Sequence, residues 1–181
     1  MEQSLVYGTW ALVAVTVALV GVTWYMAWRQ IGLLRQQTAD ARANLCLQNH
    51  LRFTERFDSA KFQADRKLLA EKLLAGVPHD EISESVLEFF EDLGMYLRRG
   101  YFDEELAWST FGFFAVRWWA ACKDYVLEER KRNNDQTLFT DFEAAVDRFR
   151  RLDRQKSLTE PTEAEVAKFL QDEANLEIST Q

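Results

Sequence analysis

No charged residue occurs from Gln3 to Trp28, and charges begin abruptly at Arg29. Within that stretch, Leu5–Trp28 reads LVYGTWALVAVTVALVGVTWYMAW. A helix rises about 1.5 Å per residue, so roughly 20 apolar residues cross a hydrocarbon core about 30 Å thick. This segment is therefore expected to be a membrane-spanning helix. Tyr7 and Trp10 stand near one end of it, and Trp24, Tyr25 and Trp28 cluster at the other. Rings with one polar edge favour the headgroup level, so these residues read as two interfacial belts. Only Met-Glu-Gln-Ser precedes the span, whereas Arg29, Arg35 and Arg42 follow it. Basic residues stay on the cytoplasmic side, which puts the N-terminus outside and the bulk of the chain inside.

A cleaved secretory signal would begin with a basic region, carry a shorter apolar core and end in small residues. Here Glu2 replaces the basic region, the core is long, and Trp24, Tyr25 and Trp28 occupy the place of a cleavage motif. The segment is read as an anchor. The expected organisation is residues 1–4 outside, 5–28 as the span, 29–57 as a juxtamembrane amphipathic helix, 58–157 as a helical bundle, and 158–181 as a C-terminal helix with an acidic tail.

The portion after the span is one domain's worth of chain, long enough to bury a core. A formal charge of −7 argues against a nucleic-acid binder, which would usually be basic. Between Arg29 and Lys67 basic residues nevertheless outnumber acidic ones, which suits a segment near anionic headgroups. Cys46 and Cys122 are isolated from each other, fitting free thiols in a reducing compartment rather than a disulfide framework or a zinc site.

The fold class is all-α, because few turn residues interrupt the chain and no stretch alternates long enough for a strand. The first helix is expected to leave the bilayer unbroken. Ile31, Leu34, Thr38, Ala41 and Leu45 repeat at spacings of three and four, the seam of a short coiled coil. Two copies confined to one membrane could pair through it, or the helix could pack on its own domain. Asp58-Ser59 offers a side-chain oxygen to cap a second helix that Gly76 and Pro78 close. A third opens near Asp80 and Glu81, carries Ile82, Val86, Phe89, Phe90, Leu93 and Leu97 on one face, and ends at Gly100. Asp103 caps the fourth, Glu104 to Arg132, whose apolar residues occupy nearly every face and place it at the bundle centre. Its stretch Ala107–Cys122 is too short, and carries Arg117, to be a second span. A fifth helix runs from Leu138 to Gln155, and Thr162 with Glu165 has capping-box spacing for a sixth. Glu177 to Gln181 is expected to fray.

Chemistry is harder to find. The two histidines, His50 and His79, have no metal-ligand neighbour at helical spacing. There is no Gly-rich phosphate loop, no Gly-x-Ser-x-Gly and no His-Glu-x-x-His. No catalytic, cofactor-binding or metal residue is assigned. Glu88, Glu91 and Asp92 could form one side of a carboxylate metal site, but no Glu-x-x-His accompanies them. Arg117 lies between Val116 and Trp118 in the most apolar stretch. A buried guanidinium needs a partner, and Glu88, Glu91 and Asp92 are the candidates. Alternatively, Arg117 with Trp108 and Trp118 lines a partner groove, since Trp, Tyr and Arg dominate interface energetics.

The block VLEFFEDLGMYLRRGYFDEELAWSTFG, Val86 to Gly112, resembles the signature of an uncharacterised bacterial family of membrane-anchored helical proteins. Phe62 and Arg66 match its FxxxR helix, and the resemblance covers roughly Leu51 to Leu152. It implies a helical fold and a bacterial inner-membrane address, single-pass, with the C-terminal domain in the cytoplasm. It supplies no activity. Two functions are compatible with these residues: a non-enzymatic interaction or scaffold module with an unknown cytoplasmic protein partner, or a membrane-bound enzyme or effector with an unfamiliar polar site near Glu91 and Arg117.

Overall fold

The computed structural model describes residues 2–76 and 84–178, with backbone alone at 2–15, 17–18, 33 and 39. Among these residues there are six helices and no strand: α1 Glu2–Asp58, α2 Ala60–Ala75, α3 Ser85–Arg98, α4 Glu104–Arg132, α5 Thr140–Gln155 and α6 Glu163–Ala174. The all-α expectation holds. Pro78, His79, Asp80, Glu81 and Ile82, which bear on the end of α2 and the start of α3, lie outside the described residues, as do 179–181.

Two compact units divide at Asn44/Leu45. The first, Met1–Asn44, is helical from Glu2 onward, and its described side chains, Trp24 and Trp28 among them, are exposed. The span expected at 5–28 falls in large part on side chains outside the described residues. Among the described residues no helix is long and apolar enough to cross a membrane; this covers α4, in line with the reading of Ala107–Cys122.

The second unit, Leu45–Gln181, begins earlier than the boundary expected at Asp58. Its first element is the end of α1, whose Phe53 and Phe57 enter the core while Asn49 donates to the Tyr101 carbonyl at 2.9 Å. Sequence spacing alone could not separate this stretch from the preceding turns of the same helix. Of the chain's 13 phenylalanines, eleven are buried. They form a connected aromatic core: Phe53, Phe57, Phe62 and Phe89 meet Phe111 of α4 or one another at centroid distances of 4.7–6.5 Å. On the α5 side, Phe142 stacks on Phe90 at 5.0 Å and takes Trp119 edge-on at 5.1 Å. Such pairs add about 0.5–1.5 kcal/mol beyond burial.

Local hydrogen bonds set most helix ends. The Ser59 hydroxyl accepts from the Phe62 amide and the Asp103 carboxylate from the Leu106 amide. Thr162 and Glu165 complete a reciprocal capping box. Gly76 and Gly100 adopt the left-handed conformation (φ 63° and 67°) that stops α2 and follows α3. The fifth helix starts two residues after the expected Leu138, because Phe139 is itself left-handed (φ 54°) and gives α5 no side-chain cap.

Candidate functional site

Arg117 is not a buried member of an α3–α4 ion pair. Position 117 faces outward from α4, and the guanidinium lies 3.6 Å from the Phe113 ring centroid while donating to the Phe113 carbonyl at 3.2 Å. Its acidic neighbours are Glu165 of α6 and Asp153 of α5. Partial burial lowers its pKa, and those two carboxylates oppose the shift. A helix with apolar residues on several faces leaves its rotation ambiguous, and here Trp118 and Trp119 take the interior in place of Arg117. Trp118 is fully buried, its indole edge-on to Phe169 of α6 at 5.2 Å, so it does not line a surface groove.

The three carboxylates of α3 go separate ways. Glu88 is exposed, and Asp92 pairs with Arg56 at 2.8 Å. Glu91 reaches across to α5, where its two oxygens accept from the Phe142 amide at 2.7 Å and the Asp141 amide at 3.3 Å. It thereby supplies the cap that Phe139 cannot give, satisfying amides with no partner inside α5. Burial raises its pKa; the two amides pull it back down only in part. Gly94, one turn on, lets the Asp141 carbonyl approach so closely that a Cβ there would collide with it. Arg98 then grips the Asp141 carboxylate bidentately at 2.7 and 2.8 Å. The FFEDLG block is thus a device for seating α5 on α3. It does not bring Glu91 to Arg117.

Trp108 and Arg117 do share a groove. A cavity of about 510 Å³ opens between α4 and the α5–α6 connection, with Phe113, Leu158 and Glu165 also on its walls. The Trp108 indole N–H donates to Asp153 at 2.8 Å, and Lys156 Nζ lies 4.0 Å from the ring. Gly112 makes room for that indole, since a Cβ there would stand 2.9 Å from Trp108 Cδ1. Phe113, 56% exposed, forms the outer lip with Leu158. The groove therefore presents apolar surface, a guanidinium and carboxylates together. Neither histidine nor cysteine lines it.

The buried ion pair is elsewhere. Arg66 of α2 and Glu173 of α6 are each 5% exposed, with Nε 3.3 Å from the carboxylate. Burial is the largest influence on both, lowering the pKa of Arg66 and raising that of Glu173 against their mutual attraction. Among the described residues no group of three or more His, Cys, Asp or Glu is placed to hold a metal ion. Burial pushes the Cys122 thiol up to about 12, leaving it an inert apolar side chain. His50 packs edge-on against Phe102 at 5.6 Å, and burial lowers its pKa.

A family pattern described as a domain of unknown function, DUF4760, matches residues 9–149. The chain belongs to this family. The DUF4760 match begins far upstream of Leu51, where the sequence resemblance was expected to start, and ends close to the expected Leu152. No curated protein and no solved structure matches the chain.

Proposed function

We propose that this chain is a single-pass, membrane-anchored module whose cytoplasmic helical bundle binds a protein partner, with the Trp108–Arg117 groove as the contact surface. The observation that carries the reading is the groove's make-up. A half-exposed Phe113 and an Arg117 not needed by the core stand beside Trp108, and aromatic and Arg side chains are those that dominate binding energy. Anchoring is supported by the uncharged run to Trp28 and its helical backbone. The Arg residues that follow favour an N-out orientation in a bacterial inner membrane. Two copies pair through Ile31, Leu34, Thr38, Ala41 and Leu45. In the single chain Ile31, Leu34 and Leu45 are 48%, 58% and 42% exposed, so the apolar seam is open to a second helix.

The test is crosslinking and affinity purification from native membranes, comparing wild type with an Arg117→Glu, Leu158→Ser double variant, both positions being on the groove wall and outside the core. A stoichiometric partner captured by wild type and lost from the variant, with the melting midpoint unchanged, is the expected result. Equal capture by both would remove the groove from the reading. An impermeant maleimide that labels Ser4→Cys from outside intact cells checks the orientation; labelling only after lysis would overturn it.

A further inference from the structure

The seat of α6 meets the Trp108 groove at Phe113 but is otherwise built from residues outside that groove's lining, Arg66, Phe114 and Trp118 among them. Arg66 is held among aromatic rings, its guanidinium carbon 4.1 Å from the Phe57 centroid, 5.4 Å from Phe114 and 6.0 Å from Phe62. The Glu173 carboxylate approaches it at 3.3 Å, yet Arg66 Nε and Nη1 and Glu173 Oε2 complete no hydrogen bond. One turn earlier on α6, Phe169 enters a socket formed by Trp118, Phe113 and Phe114, at centroid distances of 5.2, 6.0 and 6.3 Å. Leu170 is buried beside it. Phe169, Leu170 and Glu173 are the buried residues of α6.

Three features make α6 a removable occupant. It has 12 residues, too few for a helix to persist alone in water, so the groove holds its shape. It hangs from residues 156–162, where Ser157 is left-handed (φ 59°) and the chain has left α5. It also lies beyond the DUF4760 match, whereas Arg66 and its rings lie within it. The family region thus contains an aromatic groove with a buried cation that α6, outside that region, covers.

We infer that the α2–α4 groove is a docking site for an amphipathic partner helix bearing the pattern Phe-Leu-x-x-Glu, and that α6 occupies it in cis as a displaceable mimic. The occupant's chemistry follows from the seat: an aromatic ring for the Trp118 socket, an aliphatic neighbour, and a carboxylate one turn on, because a buried Arg66 left without one is heavily penalised. A tethered occupant acts at high effective concentration, so a partner helix binds only when α6 is loosened or outcompeted.

The experiment uses the full chain in detergent and a fluorescent synthetic peptide of residues 158–178 as probe. Phe169→Ser with Leu170→Ser frees the groove, and this variant is expected to bind the peptide roughly 100-fold tighter than wild type does. A peptide carrying Glu173→Gln is expected to lose about 100-fold in affinity, and Arg66→Met in the freed chain to abolish that discrimination. A folded freed chain that binds no tighter than wild type would overturn the inference. Should that variant not fold, hydrogen exchange on wild type decides. Exchange of α6 amides through an opening that leaves α4 protected supports a removable helix, whereas α6 exchange only with global unfolding overturns it.

Discussion

Arg66 and Arg117 sit in similar sequence settings and in opposite physical ones. Each lies on a helix that supplies core residues, one turn from phenylalanine (Phe62 and Phe113 respectively). Arg66 is sealed between α2 and α6 with a carboxylate brought from the far end of the chain, whereas Arg117 lies along the outside of α4 on its own helix's phenylalanine. The difference teaches that a charge within an apolar stretch becomes buried only when a second element closes over it. At Arg66 α6 does so, with Glu173 as the counter-charge. At Arg117 the start of α6 passes near enough for Glu165 to be felt, and leaves a groove.

The most direct way to break this comparison is Arg66→Met. It leaves Glu173 in an apolar seat without a cation, and the seating of α6 is expected to weaken by about 3–5 kcal/mol. Hydrogen exchange across 163–174 reads the change. Adding Glu173→Leu is expected to recover most of it, since an apolar pair of similar size can replace a buried ion pair. If the double variant is as weak as the single one, shape rather than charge specifies the seam.

Gly94→Ala comes next. The added methyl collides with the Asp141 carbonyl, so α3 and α5 must separate, at a cost of about 1–3 kcal/mol in a urea titration. An unchanged midpoint would mean that the two helices do not approach there as closely as described.

A smaller effect, about 1 kcal/mol as for other helix caps, is expected from Glu91→Gln at neutral pH. Its pH dependence is the sharper readout. Burial raises the Glu91 pKa in the folded state, so the folded chain holds more protons than the unfolded one between the two pKa values. Stability owed to Glu91 is then highest below its unfolded pKa and declines as pH rises through the folded value. The wild-type minus Glu91→Gln difference should fall along that interval. Glu165 supplies the opposite sign: hydrogen bonds from the Thr162 backbone and hydroxyl lower its pKa, so its contribution is present above the unfolded value and lost as pH drops through the folded one. Two capping glutamates with the same slope would contradict the contrast between a cap buried across helices and one exposed within its own.

The smallest stability effect is expected at Arg117. Arg117→Met should alter the melting midpoint by less than about 0.5 kcal/mol equivalent, as for other surface positions, while weakening partner capture. A loss comparable with that of Arg66→Met would put Arg117 back into the core.

Much of this architecture was legible before any coordinate. The stripe from Val86 to Leu97, the caps at Asp103, Thr162 and the Asp58-Ser59 pair (Ser59 in the structure), and the stops at Gly76 and Gly100 depend on spacings of a few residues. A helix cap spans three or four positions, so its chemistry is written in consecutive letters. The site was less legible. Trp108 and Arg117 line one cavity, but Trp118 turns inward and Glu91 is engaged with α5. The motif resemblance pairs Phe62 with Arg66, and no local spacing points to Glu173 as the third member.

What the sequence by itself determined is the helical class, the position of most helix ends and the uncharged run before Arg29, because periodicity, capping and charge are properties of neighbouring residues. What only the tertiary structure decided is which face of α4 turns inward, which carboxylate meets which arginine, and where the cap of α5 comes from. Those outcomes depend on the rotation and docking of whole helices, set by the summed packing of aromatic side chains from every element, and no local spacing encodes that sum.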